Sequence, residues 1–401
     1  MLNELPKFFE QILNISEPWK IVKVEEEKNI VHIHIDFKKG TKFEYNGKMY
    51  TAHDTVKRSW RHLNLFQYET YLHARVPRIK TDEGTKTIEV PWARKNMGFT
   101  LLFEALIIEL YQHMTPAEMS RKYKITENRI WDLLDFHVSR ELEKQDFSKE
   151  PIKNVSVDEI ARKKNHVYLT YFLDLDREKV VYIADGKDSK TFESFKTRYI
   201  EKKGKEKDIK TICMDMSVPF KKGAKENFPK AKIIFDKFHV VKALNEQLDK
   251  IRKRENVEYN EILKKTKYIF LKNPKNLKES QKERLDELME HQYLDTVKAY
   301  SLVIEFKKIF DYTKISYAAK YFKKWYEKTI KSNIPELIKG AETLLNHING
   351  VLLHIKTKIS NAKIEGMNSK LRVFTKRSYG FKTFDYLKIT IFMALGKLSF
   401  S

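Results

Sequence analysis

Along this chain the spacing of apolar residues changes repeatedly, and each change marks a region. A short helical run from Leu5 to Ile15 gives way to β-like patterning. IVHIHIDF alternates isoleucine with histidine, the period of a half-buried strand. KKGTKFEYNGKMY holds Asn46-Gly47, a pair that accepts the positive φ of a hairpin turn, and TYLHARVPRIKT predicts a further strand. Pro91 and Gly98 bracket a boundary. From Phe99 to Leu142 the period is helical, with LLFEALIIELYQHM a core-facing helix. TPAEMSRKYKITENRIWDLLDFHV predicts two helices joined by a tight turn around Lys124-Ile125, with Thr126 capping the second. This is helix-turn-helix spacing, a plain helical hairpin being the alternative. In the first case Glu127, Asn128 and Arg129 stand early on the second helix, where a recognition helix meets bases.

From Asn154 the pattern returns to strands. NVSVDEIA, HVYLTYFLDL and KVVYIADG are successive β runs, followed by a helix in SKTFESFKTRYI, a fourth strand in IKTICMD, a helix in SVPFKKGAKENF and a fifth strand in AKIIFD. The order β-β-β-α-β-α-β describes an α/β, ribonuclease-H-like core, an antiparallel meander extended by parallel βαβ units. The first and fourth strands are neighbours in such a sheet. From Phe238 to His347 the chain is helical and lysine-rich, an all-α insertion. In HVVKALNEQLDKIRKR an apolar stripe of Val240, Val241, Leu244, Leu248 and Ile251 is flanked by Lys242, Lys250, Arg252, Lys253 and Arg254. The expected organisation is a β-rich module over 1–95, a helix-turn-helix region over 96–150, a catalytic core over 151–240 and 346–401, and an α-helical insertion over 241–345.

Composition narrows the partners. Hydrophobic residues make up 41% and aromatics 12% of the 401, enough for roughly two to four folded domains. Lys and Arg number 78 against 55 Asp and Glu, a net charge of +23. Part of this is a lysine-rich composition, but the basic residues also cluster near the motifs, which points to nucleic acid before membrane. One cysteine, Cys213, reads as a buried small apolar residue; it allows no disulfide framework and fits a reducing cytoplasm. MLNELPKFFEQILNI lacks the pattern of a signal peptide. No apolar run approaches the roughly 20 residues of a membrane span. The expected location is the cytoplasm.

Three carboxylates carry the candidate chemistry: Asp158 in NVSVDEIA, Asp215 in IKTICMDMSVPF and Glu365 in SNAKIEGMNSKL. Cutting a phosphodiester requires in-line attack with both entering and leaving oxygens stabilised, which two divalent ions accomplish. Mg²⁺ takes oxygen ligands from few carboxylates plus waters and phosphate. Asp158 is expected to bridge two ions, with Asp215 and Glu365 holding one each. The Glu365 helix, capped by Ser360 or Asn361, turns Ile364, Met367, Leu371 and Phe374 to a core. Glu365, Ser369, Arg372 and Lys376 fall on the nearly opposite face, and KRSYGF adds Arg377 and Tyr379 beside Gly380. An aspartate ending a strand is commonly only a turn or cap residue, and a helical glutamate is ordinary. Asp236, ending the fifth strand, is the main rival ligand. His239 is either a metal or phosphate contact or a structural hydrogen bond. Asp174, Asp176 and Asp185 read as turn residues, and His32 and His34 as a solvated strand face.

With these motifs in order, the chain resembles the DDE-type transposases of bacterial insertion sequences, specifically the ISL3 family. The carrying segments are VPWARKNMGFT, SVDEIARKKNHVYLTYFLDLD, MDMSVPFKKGAKENFPKAKIIFDKFHVVKALNEQLDKIRK and SNAKIEGMNSKLRVFTKRSYGF. The resemblance implies a ribonuclease-H-like core, an all-α insertion before the final acid, and dependence on Mg²⁺, with Mn²⁺ as a substitute. Its catalytic acids fall on Asp158, Asp215 and Glu365. It further implies double-stranded DNA as partner: binding of terminal inverted repeats through residues 1–150, pairing of ends in a homo-oligomer, hydrolysis at each end, and attack of the freed 3′-hydroxyl on target DNA. Lys250, Arg252, Arg254, Arg372, Lys376 and Arg377 would hold backbone phosphates. The family's N-terminal cysteine-rich zinc module has no cysteine here in TKFEYNGKMYTAHD through RIKTDEGTK, so no zinc is expected. A catalytically silent DNA-binding descendant and a nuclease without strand transfer are the alternatives.

Overall fold

A computed structural model of the chain describes residues 4–163, 167–357, 361–377, 381 and 383–400; for 4, 5, 161–163, 167, 361–365 and 377 the description covers the backbone alone. The protein is mixed α/β, β-rich toward its N-terminus and helical toward its C-terminus. It divides into two units, residues 1–139 with 400–401, and residues 140–399.

The first unit begins with helix α1 (Glu4–Ile12) and strands β1 (Trp19–Glu27), β2 (Ile30–Phe37), β3 (Lys42–Tyr45), β4 (Lys48–Thr51), β5 (Asp54–Leu65), β6 (Tyr68–Thr81) and β7 (Gly84–Thr87). The main sheet runs β1-β2-β6-β5, with β7 also on β6. Alternation in β2 sends Ile33 and Ile35 into a core with Trp19, Trp60, Leu72 and Trp92. The opposite face carries His32 and His34, both partly exposed and hydrogen-bonded. His32 Nδ1 lies 2.8 Å from His73 Nε2, and His34 Nε2 lies 2.9 Å from Glu25. Asn46 and Gly47 take φ of 50° and 75° in the β3–β4 turn, where glycine and asparagine are tolerated.

Helices α2 (Leu101–Tyr111), α3 (Pro116–Tyr123) and α4 (Glu127–Glu143) follow. Thr115 and Glu118 form a reciprocal capping box that starts α3, and Lys124 ends it in the left-handed region at φ 53°. Glu104, 1% exposed on α2, accepts hydrogen bonds from Arg94 at 2.7 Å and from His137 of α4 at 2.8 Å. That buried pairing fixes α4 against α2.

The second unit is built on β8 (Asn154–Lys163), β9 (Val167–Asp174), β10 (Lys179–Asp185), α5 (Lys190–Glu201), β11 (Thr211–Met214), α6 (Val218–Asn227) and β12 (Lys232–Phe235). The sheet order is β10-β9-β8-β11-β12. The first three strands are antiparallel, and β11 is parallel to both β8 and β12. Val155, Val157, Phe172, Ile212 and Met214 share a core with Phe192 and Phe195 of α5 and Phe220 of α6. A helical region continues through α7 (Lys237–Glu255), α8 (Asn260–Leu263), α9 (Lys267–Leu271), α10 (Glu279–Glu290), α11 (Asp295–Lys307), α12 (Ile315–Lys331), α13 (Pro335–Leu345) and α14 (Ile348–Thr357). Helix α14 returns to the sheet edge at Gly350, where a Cβ would stand 2.4 Å from the Phe235 ring, so only glycine allows the approach. Helices α15 (Asn361–Arg377) and α16 (Phe384–Leu395) close the unit. Among the described residues no helix is long and apolar enough to cross a membrane.

Candidate active site and nucleic-acid interface

Strand register brings the acids together. Cys213 of β11 pairs with Ser156 of β8, so two residues further on Asp215 stands alongside Asp158. Met214 pairs with Phe235 of β12, so one residue further Asp236 stands alongside Asp215. Val157, Met214 and Phe235 point into the α5–α6 core. By strand alternation their successors Asp158, Asp215 and Asp236 turn to the other face. They form a row across the sheet, with Asp158 midway along β8 and Asp215 and Asp236 just past the ends of β11 and β12.

Local hydrogen bonds set each carboxylate. Asp158 Oδ1 accepts from the Glu159 backbone N–H at 2.8 Å. Its Oδ2 accepts from the Tyr171 hydroxyl at 3.1 Å and from Asn368 Nδ2 at 2.9 Å. The Tyr171 hydroxyl also reaches Asn368 Oδ1. Tyr171 is the cross-strand partner of Asp158, while Asn368 comes from α15. Asp215 Oδ1 accepts from the Ser217 N–H at 2.9 Å as α6 begins. Asp236 caps α7 by accepting from the Phe238 N–H at 3.0 Å. Glu365 lies on α15 one turn before Asn368; its side chain is outside the described residues.

The electrostatics agree with this grouping. Burial pushes the Tyr171 hydroxyl well above its usual range; the charge of Asp158, its hydrogen bond and the charge of Asp236 add to that, and Arg372 opposes them. Desolvation raises Glu159, with Asp215 and Asp158 pushing the same way and Lys187 and His239 opposing. Cys213, fully buried, is pushed up by burial and then by Asp236 and Asp158, which keeps it a thiol. A concentration of carboxylates beside strand ends suits an oxygen-loving divalent cation. Among the described residues, however, no group of three or more His, Cys, Asp or Glu closes as a metal-ligand set.

The DNA-contact candidates fare unevenly. On α4 Asn128 is exposed, Glu127 is half-buried, and the Arg129 guanidinium lies over the Phe99 ring at 4.1 Å. On α7 Lys250 is exposed. Arg252 is not the surface cation expected: it is 8% exposed and bonds Asp249 through Nε and Nη2 at 2.9 and 2.8 Å. Its place beside Ile251 on the buried stripe, three residues after Asp249, explains the difference. Arg254 pairs with Asp295 at 2.9 Å and Glu336 at 3.4 Å. On α15 Arg372 and Lys376 are exposed, and the side chain of Arg377 is outside the described residues. Tyr171, Asn368 and Glu159 escape a reading of the sequence. The available signals are the position of Tyr171 opposite Asp158 in the meander and that of Asn368 three residues after Glu365.

Comparison with known proteins gives a consistent picture. Residues 155–391 match a DDE transposase family of the ISL3 group, and residues 88–138 match the helix-turn-helix domain of transposase family ISL3. The transposase for insertion sequence element IS1001 of Bordetella parapertussis is 27% identical over 350 residues, 85% of each chain. The transposase for insertion sequence element IS1557 of Mycobacterium tuberculosis is 24% identical, covering 81% of this chain and 79% of its own. Residues 46–81 match the zinc-finger of transposase IS204/IS1001/IS1096/IS1165. This match corrects the expectation that zinc has no place here, since the segment belongs to a zinc-finger module. The segment holds no cysteine. Its His62 is bonded to Thr100 at 2.8 Å and its His73 to Ser59 at 2.7 Å. Among the described residues these side chains do not compose a zinc-ligand set.

Proposed function

The chain belongs to the ISL3 family of DDE-type transposases, and from that premise we propose how this DNA transposase divides its work. Residues 1–95 and the helix-turn-helix of 96–150 bind the terminal inverted repeats of an insertion sequence. Residues 151–240 and 346–401 form a ribonuclease-H-like catalytic core, interrupted by the α-helical insertion of 241–345. The order β10-β9-β8-β11-β12, with β11 parallel to β8, supports that assignment. Two ends are paired in a homo-oligomer, in the cytoplasm and on the nucleoid.

Asp158, Asp215 and Glu365 are the catalytic acids in this reading. The observation that carries it is the register that aligns Asp215 with Asp158, beneath a helix tied to Asp158 through Asn368. These carboxylates would hold Mg²⁺, which supplies a Lewis acid for the scissile phosphate and lowers the pKa of an attacking water. The Asn368 amide and the Tyr171 hydroxyl orient Asp158 by donating to one of its oxygens. Hydrolysis frees a 3′-hydroxyl at each end, and that hydroxyl attacks target DNA.

The test is cleavage and joining of duplexes that carry the element's ends, with Mg²⁺, for the wild type and for Asp158→Asn, Asp215→Asn and Glu365→Gln. Each variant is expected to lose cutting and joining while retaining end binding. Cutting that survives the substitutions would sink the site assignment. Binding without cutting by the wild type would identify a silent descendant, and cutting without joining a nuclease.

A further inference from the structure

Helix α7 starts at the acid row, with Asp236 as its cap, and a basic groove follows it away from the site. A cavity of about 860 Å³ lies against α7, α9 and α11. Its rim carries Lys237, Lys242, Lys275, Lys307 and Lys308 against one lining acid, Asp311. Its floor is apolar, with Phe238, Val241 and Ile304. A second cavity of about 420 Å³ shares Lys242, Asn245 and Leu271 with the first and continues past Lys250, Lys253 and Lys267, four lysines in all against two lining acids, Glu246 and Asp249. Together they track α7 from Lys237 to Lys253, a length of about 24 Å at the helical rise.

This combination separates one nucleic-acid geometry from another. A duplex presents phosphates outward and keeps its bases stacked, so cations alone suffice to hold it. An unpaired strand presents both phosphates and bare base faces, and sites for it combine a basic groove with aromatic platforms. Phe238 is 51% exposed at the end of the groove nearest the acids, so its ring face is open for a base to stack on. Asn245 Oδ1 is buried without a hydrogen-bond partner and is an acceptor suited to a base N–H. Burial lowers the Lys307 pKa, so an arriving phosphate would restore favourable surroundings to its ammonium group.

We propose that the groove along α7 binds an unpaired DNA strand, with the backbone on its lysines and a base stacked on Phe238. This rests on the transposase reading, and it adds a single-stranded segment beside the acids to the duplex substrate.

The test measures binding of the full chain at low salt to three fluorescent probes of one sequence: a blunt duplex, the same duplex with an oligothymidine 3′ overhang, and that overhang made abasic. The wild type should prefer the thymidine overhang to the abasic one by about tenfold. Phe238→Ala should erase that preference and leave blunt-duplex binding unchanged; the ring is half exposed, so folding should survive. Lys307→Gln with Lys308→Gln should weaken both overhang probes and spare the blunt duplex. A preference that survives Phe238→Ala overturns the proposal. So do lysine substitutions that weaken the blunt duplex as much as the overhangs, which would make the groove a duplex track. Failure of the wild type to bind any probe would instead overturn the transposase reading, and the groove with it.

Discussion

Asn368→Ala isolates the tie between α15 and the first aspartate. The substitution removes the Nδ2 donor 2.9 Å from Asp158 Oδ2 and the acceptor that faces the Tyr171 hydroxyl. A hydrogen bond to a charged group contributes about 1.5–3 kcal/mol. Two circumstances reduce the loss here. The Tyr171 hydroxyl keeps Asp158 as acceptor at 3.1 Å, and alanine is the better helix former by a few tenths of a kcal/mol. The net cost to stability is about 1–2 kcal/mol, a fall in melting temperature of roughly 2–8 °C for a unit of this size. Catalysis should suffer more, because α15 also carries Glu365, one turn away. A displacement of about 1 Å at a reacting centre costs on the order of a hundredfold in rate, or about 2.7 kcal/mol. Calorimetry, end-binding anisotropy and a cleavage assay should therefore show a modest melting shift, unchanged affinity and a hundredfold slower cut. Asn368→Asp, nearly isosteric, sets a like charge against Asp158 and should be slower still. Cleavage within twofold of wild type for both variants would refute the idea that this contact positions the helix.

Two further predictions concern other parts of the molecule. His62 is buried and bonded to Thr100, and burial, with Arg61 beside it, lowers its pKa to about 4. The unfolded chain therefore takes up this proton first as pH falls. The contribution is complete above an unfolded pKa of about 6.5 and is lost progressively down to about 4, reaching about 2 kcal/mol by pH 5. His62→Gln should flatten the melting temperature over that window relative to wild type, and an unchanged slope would count against this origin. On α7, Arg252→Ala removes two hydrogen bonds from Asp249, which keeps Lys253 at 3.2 Å, and should cost about 1.5–3 kcal/mol of stability with little change in DNA affinity. Exposed Lys250→Ala should do the reverse, weakening DNA binding and reducing its salt dependence by about one ion without lowering the melting temperature.

Much of the second unit is legible because its strands are short apolar runs bounded by polar turns, and its caps are local. In the first unit the Asn46-Gly47 turn is legible for a similar reason, since its signal lies within two residues. The strands that escape notice are β1, β5 and the short β7. WKIVKVEEE ends in three glutamates, and DTVKRSWRHLNL interleaves Lys57, Arg58 and Arg61 with its apolar positions. These two are held in hairpins whose outer pairs lie far apart in sequence, β1 with β2 out to Trp19↔Phe37 and β5 with β6 out to Asp54↔Arg78, beyond the reach of a short window. The same reason hides the surroundings of the acids. Tyr171 touches Asp158 through cross-strand register, and Asn368 does so from 210 residues away. Arg252 misleads for a related reason: a basic run reads as surface, while the adjoining apolar stripe draws one of its members inward to Asp249.

The row of three aspartates poses a choice of third acid, and capping chemistry allows a clean decision. Asp236 stands next to Asp215 by register, but it is 8% exposed and its Oδ1 is engaged at the head of α7. A carboxylate held by an N-cap bond has less freedom to turn toward an ion than one on the approaching helix. In the proposed site Glu365 is therefore the preferred third ligand, and Asp236 would add negative charge beside the pair. Asp236→Asn tests this because asparagine caps a helix about as well as aspartate. Helix α7 should stay in place, so the variant removes charge alone. The expected result is cleavage within about tenfold of wild type for Asp236→Asn, the order of effect of one displaced charge at an effective dielectric of about 20 after screening, against complete loss for Glu365→Gln. The opposite ranking, with melting temperatures equal, would transfer the third ligand to Asp236 and leave α15 as a clamp on the DNA.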